Sequence, residues 1–373
     1  MTADPQPEGL PAEASYALVA AEAEAIAAPD LDYRPPMPRD RTIPIGLIGA
    51  GGISFAHLEA YRRYGLNVVA IADRHLDRAT LRRDQHFPAA LATDDVDALI
   101  GNPAIAVLDM TLHPDGRAPL MRRALEAGQH VLSQKPFVRD PGLGADLVAL
   151  AEARGLQLAV NQNGRFAPHM AWMRAAVAAG LVGDVTGVHV SIQWNHGWVA
   201  GTPFDQMDQL ILEDFGIHWF DFLVSIIGDR ATSVMARAAR SSGQGARAPL
   251  LATAMVAFDG GQASLVFDGA TAFGAMDQTV IVGTKGTLRS SGPDLGRQTV
   301  SLTTAAGVAQ PVLEGTWFND GFAGAMGALL VAIERGAQPI NSARGNLASL
   351  RLGRAAIESA VAGGETVTLF PGD

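Results

Sequence analysis

The chain has 373 residues, too many for one small domain and about right for two. Its net charge of -10, with no Lys/Arg run, argues against nucleic acid or an anionic membrane as a partner. The 48% hydrophobic content provides a large core, and the absence of cysteine excludes disulfides, thiolate metal sites and a Cys nucleophile. No apolar run is long enough to span a bilayer and no basic-then-apolar leader opens the chain, so a soluble, cytoplasmic protein is expected.

Residues 1–41 read as an extension and linker: a short helix over 13–28, then an extended run set by Pro29, Pro35, Pro36 and Pro38. From Thr42 the pattern alternates. Strands are predicted at 43–49, 66–73, 106–112, 130–136 and 156–163, with helices over 53–64, from His75, over 115–127 and over 141–154. Strands alternating with helices of this length predict a doubly wound parallel sheet, a Rossmann-type domain over 42–163. Beyond residue 164 a helix (168–179), a strand (186–194) and a helical segment (213–227) precede six strand candidates without intervening helices. These lie at 231–240, 250–258, 262–268, 277–282, 286–290 and 297–304, and two helices (319–335 and 342–361) and a short strand (365–370) close the chain. Residues 164–373 are therefore expected to form an α+β domain with a large, mostly antiparallel open sheet. Such a one-sided sheet leaves a face to cover, which predicts a homodimer or homotetramer.

Three motifs carry chemistry. Gly49, Gly51, Gly52 and Ile53 lie between a strand and a helix, where glycines let backbone N–H groups approach a pyrophosphate; Ser54 occupies the third Gly position. Asp73 ends the next strand 22 positions after Gly51, placed to accept hydrogen bonds from a ribose and to disfavour a 2′-phosphate. NAD is the expected cofactor, and the neighbouring Arg74 leaves NADP open.

The second motif is Gln134-Lys135-Pro136, at the carboxyl end of a parallel strand, where ligands bind. Lys135 and Lys285 are the only lysines among 28 basic residues, leaving 26 arginines. A chain that writes Arg almost everywhere and Lys here points to lysine chemistry, a compact charge whose proton can move. Lys285 reads as a turn residue. The third motif places Asp214, His218 and Asp221 on one helix face, a base with carboxylate neighbours or a purely structural bridge. Trp194 and Trp198 flank His196 and offer faces for a sugar ring, against the plainer reading of core tryptophans. His57 is expected to pack on its helix, and His75, His86 and His130 to lie at the surface. No His/Asp/Glu spacing suggests a metal.

Together these stretches resemble the family of glucose-fructose oxidoreductase, inositol dehydrogenase and their relatives (the Gfo/Idh/MocA type). The matching segments are IGLIGAGGISFAHLEAY, VVAIADR, ALEAGQHVLSQKP, NQNGRF, EDFGIHWFDFLVSIIG and VGTKGTL, from about residue 43 to the C-terminus. The resemblance implies an active site between the two domains and catalytic roles for Lys135, Asp214 and His218. The cofactor set is expected to include Thr111, His113, Gln134, Lys135 and Asn163 beside the glycine loop. The substrate set is expected to include Lys135, Arg165, Trp194, Trp198, Asp214 and His218. One departure is plain: the family usually has Glu before Lys-Pro, and here it is Gln134. The expected activity is hydride transfer between NAD(P) and a hydroxyl-bearing carbon of a sugar or polyol. The alternatives are a non-catalytic NAD- or sugar-binding sensor and a dehydrogenase of a non-sugar substrate such as a dihydrodiol.

Overall fold

The computed structural model describes residues 23–369. The dinucleotide half is built from β2 (Pro44–Ile48), α1 (Ser54–Arg63), β3 (Asn67–Ala72), α2 (Leu76–His86), β4 (Leu91–Thr93), β5 (Val107–Met110), α3 (Pro114–Glu126), β6 (His130–Gln134), α4 (Pro141–Ala153) and β7 (Leu158–Asn161). Its strands are all parallel, in the order β4-β3-β2-β5-β6-β7. The order reverses between β2 and β5, the switch point where α/β sheets bind ligands. Strands β2, β5, β6 and β7 are buried nearly throughout, which explains their continuous apolar runs. Strand β4 escaped the sequence reading because three residues carry no period.

The second half runs through α5 (Pro168–Ala178), β8 (Val185–Gln193), a π-helical turn (Ile211–Phe215), α6 (Ile217–Ile227), and β9 (Ala231–Ala239) to β14 (Arg297–Thr304). Between these last two lie β10 (Leu251–Phe258), β11 (Gly261–Asp268), β12 (Met276–Gly283) and β13 (Gly286–Asp294). After β15 (Gly307–Ala309) come α7 (Trp317–Arg335), α8 (Ala343–Val361) and β16 (Val367–Thr368). With β1 (Ala25–Ile26) they give a ten-stranded sheet, β1-β15-β14-β13-β12-β8-β11-β10-β9-β16, parallel only at β1–β15 and β8–β11. Alternate residues, such as Val188, Val190, Ile192, Leu265, Phe267 and Ile281, meet Trp172, Trp219, Phe220 and Leu223 of the covering helices.

The two halves share helices. Phe322, Met326 and Leu330 of α7 pack against Ile45, Leu47 and Tyr61. Helix α8, capped by Ser342 Oγ accepting from Gly345 N–H, gives Leu350 to the parallel-sheet core and Leu352 and Ala356 to the other.

The extension differs from expectation. The predicted helix over 13–28 lies outside the described residues up to 22, and Ala25–Ile26 is a strand, not a helix, because its backbone pairs with β15. The following segment lies along its own chain: the Tyr33 hydroxyl accepts from Glu314 N–H at 3.0 Å, and the backbone of Arg39 and Asp40 donates to Glu334.

Candidate active site

Strand β2 delivers the glycine loop. Gly49 has φ +103, and a Cβ there would stand 2.9 Å from Thr111 Oγ1, so a side chain is barred by conformation and by space. At Gly51 and Gly52 a Cβ would meet nothing within 4 Å, so this backbone faces open space at the start of α1, with Ile53 already in a helical conformation. The Gly51 carbonyl accepts from Ser54 Oγ at 2.6 Å and Arg82 Nη2 at 3.3 Å. In a planar trans peptide the Gly52 N–H then points the opposite way. Asp73 Oδ2 accepts the Ala50 N–H at 2.7 Å and Oδ1 the His75 N–H at 2.9 Å, which fixes the carboxylate while leaving further lone pairs. Arg74 beside it is exposed. Thr111 Oγ1 donates to the carbonyls of Ile48 and Gly49, tying the end of β5 to the loop. An open glycine cradle, a helix N-terminus and a fixed acid suit a dinucleotide.

Strand β6 delivers Lys135. Its Nζ donates to Asp214 Oδ1 at 3.0 Å and to the Asp214 carbonyl at 2.8 Å. Burial works against the Asp214 carboxylate, but the Lys135 ammonium outweighs it and holds Asp214 below the usual carboxylate range. Asp214 sits in the π-helical turn rather than in the helix expected from 213, and α6 begins at Ile217. Gly216 makes that turn possible: its N–H bonds to Ile211 O, and a Cβ there would lie 2.9 Å from the same oxygen. His218, at the start of α6, lies edge-on to Trp219 and Trp317. Desolvation, reinforced by the Lys135 ammonium, pushes His218 down to about 3, so it stands neutral. Burial lowers His196 as well.

An aromatic wall continues from this centre. Phe215 packs against Trp194 (centroids 4.7 Å), His196 (4.5 Å) and Trp219 (4.8 Å). The exposed Trp198 meets Phe204 at 5.8 Å, and Phe204 meets His113 of the β5–α3 loop at 6.1 Å, so the wall links the two halves. Phe204 and Trp317 fall outside the predicted elements, where no period marks an aromatic's side, and Phe215 takes its place from the π-helical turn, which the sequence does not signal.

Several expectations change. Arg165 was expected to meet substrate, but its Nε and Nη2 donate to Asp221 at 2.6 and 2.8 Å, and Nη1 donates to Ile340 O. Its fork is thus spent on a buried ion pair. Asp221 also accepts from Asn346 and Ser349, and it reaches His218 by charge and not by a hydrogen bond. Trp194 continues the core-facing alternation of β8 and packs among rings, while Trp198 alone of the pair is exposed. Asn163 is buried with Oδ1 accepting from Trp317 Nε1 at 2.9 Å. His86 is buried, not superficial, against Phe55. A cavity of about 220 Å³ between α6, α8 and β16 contains none of the expected site residues. Among the described residues no cluster of three or more His, Asp or Glu could hold a metal, and no helix is long and apolar enough to cross a membrane.

Comparison with known proteins settles the family. Residues 43–162 match the model of an oxidoreductase family with an NAD-binding Rossmann fold, and residues 170–289 match the GFO/IDH/MocA C-terminal domain. The chain belongs to the GFO/IDH/MocA oxidoreductases. It is 25% identical to an inositol 2-dehydrogenase of Rhizobium meliloti over 328 residues, 85% of this chain and 97% of that one. It is 29% identical over 330 residues to a D-apiose dehydrogenase of Paraburkholderia graminis, covering 84% and 86%. In fold it is similar to an oxidoreductase from Agrobacterium radiobacter solved with NAD+, L-tartaric acid and magnesium, with TM-score 0.78, 23% identity and coverage of 88% and 98%. In this oxidoreductase the NAD-binding match falls on the parallel sheet and the C-terminal match on the large, mostly antiparallel one.

Proposed function

We propose that this protein is an NAD-dependent dehydrogenase acting on a hydroxyl-bearing carbon of a sugar, polyol or related compound. Residues 42–163 would hold the dinucleotide and 164–373 the substrate. The observation that carries the reading is the Lys135–Asp214 pair at the carboxyl end of β6, beside a neutral imidazole at His218. Relatives named for inositol and D-apiose oxidation support a polyhydroxylated substrate.

The bound nicotinamide supplies the hydride acceptor. The Gly49–Ile53 backbone would hold the pyrophosphate and Asp73 the adenosine ribose, with NAD preferred because a fixed carboxylate repels a 2′-phosphate. Lys135 donates a hydrogen bond to the reacting hydroxyl and stabilises negative charge as it develops on that oxygen. His218 receives the hydroxyl proton as the C–H bond breaks, and Asp214 orients Lys135 and stabilises the resulting imidazolium. Trp198 and Phe204 offer apolar faces to the C–H side of a ring. The outer face of the ten-stranded sheet exposes Met235, Met255 and Val266, with Met235 and Met255 directly paired, and suits a homodimer or homotetramer. As a user of a diffusible cell cofactor the enzyme would work in the cytoplasm.

The test is a panel of uncharged sugars and polyols offered with NAD or NADP, following absorbance of reduced nicotinamide. Turnover with at least one member, faster with NAD, is expected. Tight NAD binding without turnover of any member, while the protein binds a sugar, would favour the sensor instead.

A further inference from the structure

Gln134 closes β6 immediately before Lys135, where the family resemblance leads one to expect Glu. Its side chain is buried, and its orientation is fixed by a group that has no choice. The Lys135 N–H can only donate, and it lies 2.7 Å from Gln134 Oε1. The amide nitrogen therefore faces the other way, 3.2 Å from His57 Nε2. The Asn161 amide nitrogen lies 3.1 Å from that same ring nitrogen and 3.3 Å from Gln134 Oε1, so it too is a donor. Two amide donors converging on one imidazole nitrogen require a lone pair there. The ring proton must sit on Nδ1, which faces Asp109 Oδ2 at 2.7 Å, and the Tyr61 hydroxyl donates to the same oxygen at 2.7 Å.

His57 and Asp109 are wholly buried beneath the carboxyl ends of β5, β6 and β7, with the Phe322 ring 4.6 Å from the imidazole. On the downstream side of Lys135, the buried Arg117 donates to the carbonyls of Pro136 and Phe137. The lysine backbone is thus held from both sides by side chains that lie below the site.

We infer that Gln134 is a positioning residue for Lys135, acting as the end of a buried chain Asp109–His57–Gln134 in which His57 is the neutral Nδ1–H tautomer. The amide is not a weakened glutamate. A carboxylate at 134 would set an anionic oxygen against the His57 lone pair and remove a donor. The chain could then be satisfied only by moving the ring proton to Nε2, which leaves the Asp109 carboxylate facing a lone pair, or by charging the ring. Changing Asp109 to Asn at the same time supplies a donor for Nδ1 and frees the ring proton for a glutamate at 134. The role of Lys135 rests on the dehydrogenase reading; the chain of hydrogen bonds and the tautomer do not.

The test has a spectroscopic and a kinetic arm. Long-range proton–nitrogen spectra of the full-length protein with 15N-labelled histidine, assigned by loss of one signal in His57→Gln, should show His57 as a neutral Nδ1–H ring at neutral pH. An Nε2–H or doubly protonated ring overturns the inference, whether or not the protein oxidises any sugar. In the kinetic arm Gln134→Glu should lower kcat by about tenfold or more with the NAD KM changed far less. Asp109→Asn/Gln134→Glu should recover most of that loss, whereas Asp109→Asn alone should not improve on the wild type. Full activity in Gln134→Glu, or a double variant no better than Gln134→Glu, sinks the positioning role. If Gln134→Glu does not fold, the wild-type spectrum and folding of the double variant decide.

Discussion

Lys135 Nζ lies 3.0 Å from Asp214 Oδ1 and 2.8 Å from the Asp214 carbonyl, joining groups 79 residues apart in sequence. One partner directly follows a parallel strand of the NAD-binding half and the other stands in a turn of the second half, so the contact spans the two. It holds the ammonium against the carboxylate while 16% of the lysine side chain stays exposed. The relative orientation of the halves should therefore matter to turnover as much as the residues themselves.

Cofactor choice is expected to follow Asp73. Its two oxygens already accept the Ala50 and His75 N–H groups, so its charge cannot swing away from a 2′-phosphate. NAD should bind more tightly than NADP, and Asp73→Ser should narrow the gap by about tenfold or more, the effect of losing a charge-assisted hydrogen bond and a repulsion. Dissociation constants for both dinucleotides check this. A wild-type preference for NADP would contradict the assignment.

Arg165 and Asp221 should behave as a structural pair. Both are buried, and Asp221 also collects Asn346 and Ser349, so removing either partner leaves an uncompensated charge. Arg165→Met should cost about 3–5 kcal/mol of stability by denaturant melting. The KM for substrate, measured where the variant is folded, should change little. A large, selective rise in KM at near-normal stability would restore the substrate role expected from the sequence.

The parallel half was legible because its central strands are buried on both faces and its helices are long, so run length and glycine placement located nearly every element. Lys135 stands out through the scarcity of lysine, whereas the spacing of Asp214 and His218 leaves a structural bridge open and only the family resemblance implies their roles. What escaped the reading depended on tertiary partners. Arg165 looks like any site arginine until Asp221 and Ile340 are seen around it. The π-helical turn before α6 depends on the bare backbone of Gly216 approaching Ile211 O, which no helical period signals. Residues 25–26 read as helical by composition and became a strand because the edge of β15 was free to pair.

Stability should respond to pH through two buried groups of opposite sign. Desolvation raises Asp277, wholly buried without a hydrogen-bond partner, from 3.8 to about 7. The folded state binds its proton more tightly than the unfolded state does. That contribution is complete below 3.8 and is lost as pH rises to about 7, at roughly 1.4 kcal/mol per unit at most. Burial lowers His169 from 6.5 to about 3, so its contribution is complete above 6.5 and is lost as pH falls toward 3. Asp277→Asn should therefore raise Tm by several degrees at pH ~8 and much less at pH ~5. Equal shifts at both would show that Asp277 is ionised in the folded protein throughout.

The rate should lack the usual histidine limb. With His218 held at about 3 by desolvation and the Lys135 charge, its base form is fully present across the neutral range. kcat/KM should run flat from pH ~6 to ~7.5. A fall near the ordinary imidazole pKa that disappears in His218→Gln would show that His218 titrates normally and that its surroundings are more hydrated than the Trp219 and Trp317 contacts imply.

Lys135 is expected to act on the substrate hydroxyl and to do more than supply charge. The most direct measurement is single-turnover hydride transfer in Lys135→Arg and Lys135→Met, with NADH binding followed in the same samples by fluorescence. Arg keeps the charge but replaces a compact donor with a broad fork that does not give up a proton. Both variants should transfer hydride on the order of a hundredfold or more slowly, with NADH affinity nearly unchanged, because the glycine loop and Asp73 hold the cofactor elsewhere. Near-normal transfer in Lys135→Arg would contradict the account and leave His218 to carry the proton chemistry alone.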